Sequence, residues 1–186
     1  MRFRIFAHYS FMRFRPILIA CVIGLLAFSA ISCRRSEPAV IGAVSANQPY
    51  LDHPQPRLAS IKLWLGSQEL VAEVARTQTE VATGMMFRKE MNENEAMLFV
   101  FAQPYQASFY MRNTLIPLSC AYIDTEGQIL EIHDLKPRDE TAIEAVSANV
   151  RYVLETKQGW FERNKIGIGT LVRAEAGSLT ETFFGR

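Results

Sequence analysis

The sequence predicts an all-β domain, a compact antiparallel sandwich or barrel carrying one or two short helices. Three observations support this. Apolar and polar residues alternate in short runs such as Ile61 to Leu65, Glu69 to Ala75 and Val150 to Leu154. Turn-forming residues, Gly66-Ser67 and Asp124-Thr125-Glu126-Gly127, join neighbouring runs at hairpin spacing. Only one stretch carries a strong helix start. Many short strands with little helix point to a sandwich or barrel.

The elements follow in order. Ile61, Leu63 and Leu65 alternate with Lys62 and Trp64, and Leu70, Ala72 and Val74 alternate with Glu69 and Glu73, so the two runs form a hairpin. Thr77-Gln78-Thr79-Glu80 is a capping box: the Thr77 hydroxyl accepts from a backbone N–H, and Glu80 reaches back. Gly84 is placed to close that short helix with a positive φ. After a turn at Asn92 to Glu95, Ala96 to Phe101 is apolar on both faces and predicts a central strand. The strand around Tyr122 pairs with Gln128 to Leu135, where Leu130 and Ile132 share one face and Ile129, Glu131 and His133 the other. Val150 to Leu154 is a further strand, Gly159 to Lys165 one helical turn, and Leu171 to Arg173 a last short strand. A single domain over residues 61–186 is long enough to bury roughly two-thirds of its unfolded surface.

The stretch from Ala107 to Asp124 breaks its own pattern. Ser108 to Met111 is extended, Arg112-Asn113-Thr114 interrupts, and Leu115, Ile116 and Leu118 restart the apolar run around Pro117. A buried strand gains nothing from that triplet, so it is either a corner or a site.

The N-terminal part reads as an address. Arg2, Arg4, Arg13 and Arg15 precede the uncharged apolar run Ile17 to Ile31, as in a secretory signal over residues 1–33; a start at Met12 would make it more compact. The run is short for a membrane span, which needs ~20 residues. Ala30-Ile31-Ser32-Cys33 is similar to the lipobox of bacterial lipoproteins, although Ala30 replaces the usual leucine. The alternative is plain signal cleavage with Cys33 incidental. By that resemblance, Arg34 after the cysteine favours the periplasmic face of the outer membrane. Residues 34–60 carry Pro38, Pro49, Pro54 and Pro56 among Ser, Ala and Gln, which fits a flexible tether. Of three cysteines only Cys120 falls in the folded part, so no intrachain disulfide is expected there. A net charge of +1 gives no electrostatic case for nucleic acid.

The series Glu73-Val74-Ala75, Gly84-Met85-Met86-Phe87-Arg88, Met97 to Phe101, Ser108 to Thr114, Ile116-Pro117-Leu118, Ile123-Asp124, Gly127 and Val153-Leu154-Glu155 resembles the family called domain of unknown function 192. The resemblance covers nearly all of the globular part. It implies a jelly-roll-like β fold and no established activity. Two positions depart from the family pattern: Tyr110 stands where tryptophan is usual, and Ser119 where an acidic residue is.

Arg112, Asn113 and Thr114 are the leading ligand-binding candidates, because a guanidinium, an amide and a hydroxyl together suit a carboxylate, a sugar or a peptide backbone. Arg88, Tyr110, Met86 and His133 are the further candidates. The competing reading is that the triplet bonds its own corner, with Asn113 at positive φ. Methionines with His133 could ligate copper(I), but no Met-x-x-Met cluster is present and thioethers pack well in cores. No cofactor or metal is expected. Nucleophile elbow, zinc and phosphate-loop motifs are missing from the sequence, and Cys120 in a buried strand would be inert. The reading is a lipid-anchored cell-envelope module binding a saccharide, small molecule or protein; the alternative is an enzyme using Arg112, Asn113 and His133.

The lipobox resemblance is directly testable. Expressed in a Gram-negative host, the chain is expected to incorporate labelled fatty acid and partition into detergent, and Cys33→Ser to abolish the label. Equal labelling of the serine variant would leave Cys33 without a role.

Overall fold

A computed structural model describes residues 48–185; Cys33, the apolar run before it and most of the expected tether lie outside them. The elements in order are β1 (Ser60–Leu65), β2 (Gln68–Ala75), α1 (Gln78–Thr83), β3 (Glu95–Tyr105), β4 (Ser108–Phe109), β5 (Leu118–Asp124), β6 (Ile129–Leu135), β7 (Ile143–Glu144), β8 (Val150–Lys157), α2 (Trp160–Arg163), β9 (Val172–Ala174), β10 (Gly177–Ser178) and α3 (Leu179–Phe184). The fold is sheet-dominated and all-β. Among the described residues no helix is long and apolar enough to cross a membrane.

Eight strands form one sheet in the order β10-β9-β1-β2-β3-β8-β5-β6, and β4 pairs with β7 in a small second sheet. The hairpins expected at Gly66 and at Asp124 to Gly127 are present. One pairing departs from the antiparallel expectation: β2 and β3 run parallel, Ala72 opposite Ala96 and Val74 opposite Leu98. Parallel neighbours need a crossover, and α1 with the loop after it supplies one. Both halves of the Thr77/Glu80 capping box are made, and Gly84 closes the helix at φ 46°. A Cβ on Gly84 would stand 3.2 Å from the Phe99 ring, so a side chain there would press on that ring as well as strain the backbone. The sheet curls far enough for Gln128, just before β6, to bridge Leu171, just before β9.

Two apolar clusters result, one on each face of the sheet. Leu63, Leu65, Leu98, Leu154, Tyr152 and Phe161 belong to the first, inside the curl. Met97, Phe99, Met111, Cys120, Tyr122 and Val153 belong to the second, roofed by α1, the loop after it and the β4–β7 pair. Strands β3, β8 and β5 lie in the middle of the sheet and are covered on both faces. That is why Ala96 to Val100 reads as an unbroken apolar run.

Three details correct the sequence reading. In β6 the partner of β5 steps from Glu131 opposite Tyr122 to Ile129 opposite Ile123, skipping Leu130. This bulge puts Ile129 in the first cluster, while Leu130 packs against the second. Glu73, read as a polar-face residue, is 6% exposed. The third is an omission: α3 has its own capping box, Ser178 with Glu181. In addition, the end of the expected tether lies on the domain. The Leu51 N–H donates to the Thr83 hydroxyl, Gln55 Nε2 to the Gly84 carbonyl, and the Leu58 N–H to Glu73.

The triplet is a corner. Asn113 sits at φ 55°, its carbonyl accepts from the Phe87 N–H, and the Thr114 N–H donates to the Met111 carbonyl. Asparagine tolerates this backbone region, whereas alanine pays about 1 kcal/mol or more for it. Arg112 instead holds Glu140 at 2.6 and 2.9 Å in an exposed pair. Such pairs contribute little to stability. Thermal denaturation is expected to show Asn113→Ala destabilised by ~1 kcal/mol, Asn113→Gly largely spared and Arg112→Ala near neutral. Equal losses at the two alanine variants would contradict the division.

Candidate functional site

On the second face, α1 and the loop after it approach β4 and the corner without closing over the sheet between them. The gap is a pocket of about 150 Å³. Its floor is Phe99 on β3 and Glu155 on β8, its walls include Thr83, Gly84, Met85, Met86, Phe109 and Thr114, and Tyr105, Ser108 and Tyr110 stand at its mouth. Tyr105 and Tyr110 are about two-fifths exposed, at 41% and 40%, while Phe99 and Glu155 are buried.

Glu155 is its chemical centre. Cross-strand pairing fixes its direction: it lies opposite Met97 on β3 and Cys120 on β5, both in the second cluster. The residue is 5% exposed, and among the described residues its Oε2 has no hydrogen-bond partner. A buried carboxylate without donors is strongly disfavoured, so desolvation pushes the group up to about 8. Its neighbours do not offer a cation. Burial, and secondarily the charge of Glu155, raises the Cys120 thiol out of reach. The Tyr122 phenol is raised by burial as well. Cys120 is thus the inert core thiol that its strand position suggested.

The structure sorts the candidates read from sequence. Met86, Tyr110 and Thr114 line the pocket. Arg112 flanks it from outside, its guanidinium 5.3 Å from the centre of the Tyr110 ring and bound to Glu140. Asn113 forms the corner, with Nδ2 4.0 Å from Met86 Sδ. Arg88 is not available to a ligand: it is 8% exposed, and its two terminal nitrogens hold both oxygens of Glu73 at 2.5 and 2.8 Å. His133 lies on β6 opposite Cys120, and its Nε2 is 3.0 Å from Glu131 Oε2. Arg112, Asn113 and His133 are therefore not gathered into this pocket. At the position where the resemblance led to an expected acid, the Ser119 hydroxyl bonds Asp134 and accepts from the Gly159 N–H, a local tie.

Sequence reading did not single out Glu155. The signal was there: a carboxylate two residues after Val153, inside a strand whose every residue from Tyr152 to Thr156 is buried. Finding it required knowing that β8 is covered on both faces.

Fold and pocket together define a small sheet-dominated domain with a ligand-sized opening over an unpaired carboxyl. The family model for domain of unknown function 192, described as an uncharacterised conserved group, matches residues 61–174, and the chain belongs to that family. A protein of unknown function from Novosphingobium aromaticivorans DSM 12444 is similar at 34% identity, over 62% of this chain and 84% of that one, with a TM-score of 0.57. A second crystal structure, a candidate transcription regulator from Sinorhizobium meliloti 1021, is 28% identical over 64% of this chain and 97% of that one, with a TM-score of 0.59. No curated protein matches the chain.

The Glu155 environment fixes a pH dependence. The unfolded chain loses this proton near 4.5, the folded chain near 8. Between those values the folded state binds more protons, so this group's contribution to stability falls as pH rises, by up to about 1.4 kcal/mol per pH unit. Glu155→Gln removes the slope. Denaturant titrations from pH 5 to 8 are expected to show the variant gaining on the parent protein at every step; parallel curves would show that Glu155 is ionised throughout.

Proposed function

We propose that this chain is a binding module of the cell envelope, with the pocket over Glu155 as its ligand site. The observation that supports it most is a carboxyl left without a partner at the floor of an opening. A fold keeps such a group at a cost to stability, and functional sites are where that cost is tolerated. Thr114, Tyr110 and Met86 join it from the residues first considered; Arg112 serves at the rim. A pocket this size suits a small molecule, one sugar ring or the end of a longer chain. The enzyme alternative built on Arg112, Asn113 and His133 is weaker, because none of the three lines the pocket. Envelope location and anchoring at Cys33 are proposed from the apolar run, the lipobox-like end and the proline-bearing tether. The description of the Sinorhizobium protein is not carried over: a net charge of +1 favours little release of counterions from nucleic acid.

A test is a set of monosaccharides, small carboxylic acids and small amines titrated into the isotope-labelled full chain. At least one class is expected to shift the amides of Gly84, Met86, Ser108 and Tyr110 together. Ser108→Trp, at the exposed mouth, is expected to abolish those shifts while leaving the melting temperature unchanged. Shifts that fall elsewhere, or that survive Ser108→Trp, would place the site outside this pocket.

A further inference from the structure

The chemistry of the lining narrows the ligand, granted that the pocket is the site. Four aromatic side chains meet the space: Phe99, Tyr105, Phe109 and Tyr110. Phe109 stands edge-on to Phe99 with ring centres 5.0 Å apart, so the two present differently oriented rings. Met85 and Met86 add polarisable sulfur, and among the described residues the lining contains no lysine, arginine or histidine. The one ionisable acid is Glu155, buried and with Oε2 unpartnered. Arg112 is turned to Glu140 at the rim and does not neutralise it.

We infer that the pocket receives a small organic ammonium group, held between the aromatic rings and the Glu155 carboxylate. Each feature suits a cation. Aromatic faces attract a cation most strongly once it is desolvated. A buried carboxylate is stable only when paired, and an ammonium supplies both the charge and the N–H donors that this carboxyl lacks. A cavity of about 150 Å³ takes a group about the size of benzene, which matches a short alkylammonium. An anion would face the carboxyl with no positive charge in the lining. A neutral alcohol could accept a hydrogen bond from the protonated carboxyl but would bring no charge for the rings to attract.

The groups facing Glu155 also fix how binding responds to pH. On β5 they are Cys120 and Tyr122, both held neutral by burial; on β3 the facing residue is Met97, and from the roof come Thr83, Met85 and Thr114. None of these changes charge near neutrality. Taking up an ammonium therefore expels one proton, from Glu155 itself.

The experiment titrates n-butylammonium, n-butanol and n-butyrate into the full chain from pH 6 to 9, following the amides of Gly84, Ser108 and Tyr110. Butylammonium is expected to bind best, its affinity rising about tenfold per pH unit below 8 and levelling above it. Glu155→Gln, nearly isosteric, is expected to lose that preference and the pH slope while still melting in one cooperative transition. If butanol or butyrate shifts these amides as strongly as butylammonium, the pocket stands as a binding site and the ammonium assignment falls. If butylammonium binds without a pH slope, Glu155 is not its partner and the inference fails. If none of the three shifts these amides, the ammonium assignment is overturned, and whether the pocket binds anything rests on the wider ligand set. The slope in the parent protein stands as evidence even if the variant fails to fold.

Discussion

The fold hangs on what surrounds Glu73. This carboxylate on β2 is nearly sealed from solvent, yet it accepts from both terminal nitrogens of Arg88, from Arg57 Nη1 at 2.7 Å and from the Leu58 N–H at 2.7 Å. Burial alone would raise its proton affinity, but the donors together outweigh that and hold it below the ordinary carboxylate range. One group thus binds three separate pieces of chain: the strap before β1, the middle of the sheet, and the loop after α1. Removing one partner from such a buried pair typically costs ~3–5 kcal/mol, because the other charge is stranded. The loop carrying Met85 and Met86 is a run of turns tied by its own backbone bonds and by the Phe87 N–H to the Asn113 carbonyl. The ion pair adds a further anchor to that wall of the pocket.

Glu155 makes the opposite arrangement two strands away. Both acids sit in strands of one sheet, at 6% and 5% exposure. One is saturated with donors and stays ionised; the other has an oxygen with none and holds its proton to about 8. The difference is in the neighbours, not in depth. Glu73 faces loops that bring arginines, whereas Glu155 faces methionine, cysteine and aromatic rings. Polar groups in a core are normally satisfied. Glu155 is the acid of the two whose Oε2 meets no donor among the described residues.

What could be read in advance divides along the same lines. Local chemistry was legible: the Thr77/Glu80 capping box, the hairpins at Gly66 and Gly127, the doubly apolar strand from Ala96 and the corner at Asn113 all follow from residues close in sequence. The resemblance built on Glu73 to Glu155 likewise led to the family. Long-range facts were not legible. Nothing within β2 or β3 marks them as a parallel pair, and the bulge at Leu130 appears only against its partner strand. Glu73 and Glu69 look alike as alternate acids in one run, until the loop returns Arg88 to only one of them. Tyr110 and Thr114 lie in or beside a broken strand, but Glu155, which lines the same pocket, is far along the chain and belongs to a different strand. Arg112 stands out in the sequence as a fork of donors in an interrupted strand, but which acceptor takes those donors, here Glu140, is again a long-range fact.

The pocket exists because of where β3 departs from its neighbours. Its register with β8 is regular from Ala96 to Val100, then shifts before Tyr105 pairs with Val150. Beyond that irregularity the chain leaves the large sheet, and Ser108 and Phe109 pair with β7 instead. The β4–β7 pair roofs part of the second cluster, with Phe109 set against Phe99 and Tyr122. It ends short of α1, and the uncovered strip lies over Glu155. The opening is therefore not a loose loop that could collapse onto the sheet. Its floor is held by ladder hydrogen bonds of β3 and β8, its far wall by the capping box and the Gly84 turn, and its near wall by the corner at Asn113. A pocket bounded by such elements is held open by the fold itself. The cost has already been met in the folded domain, as a buried acid without a partner.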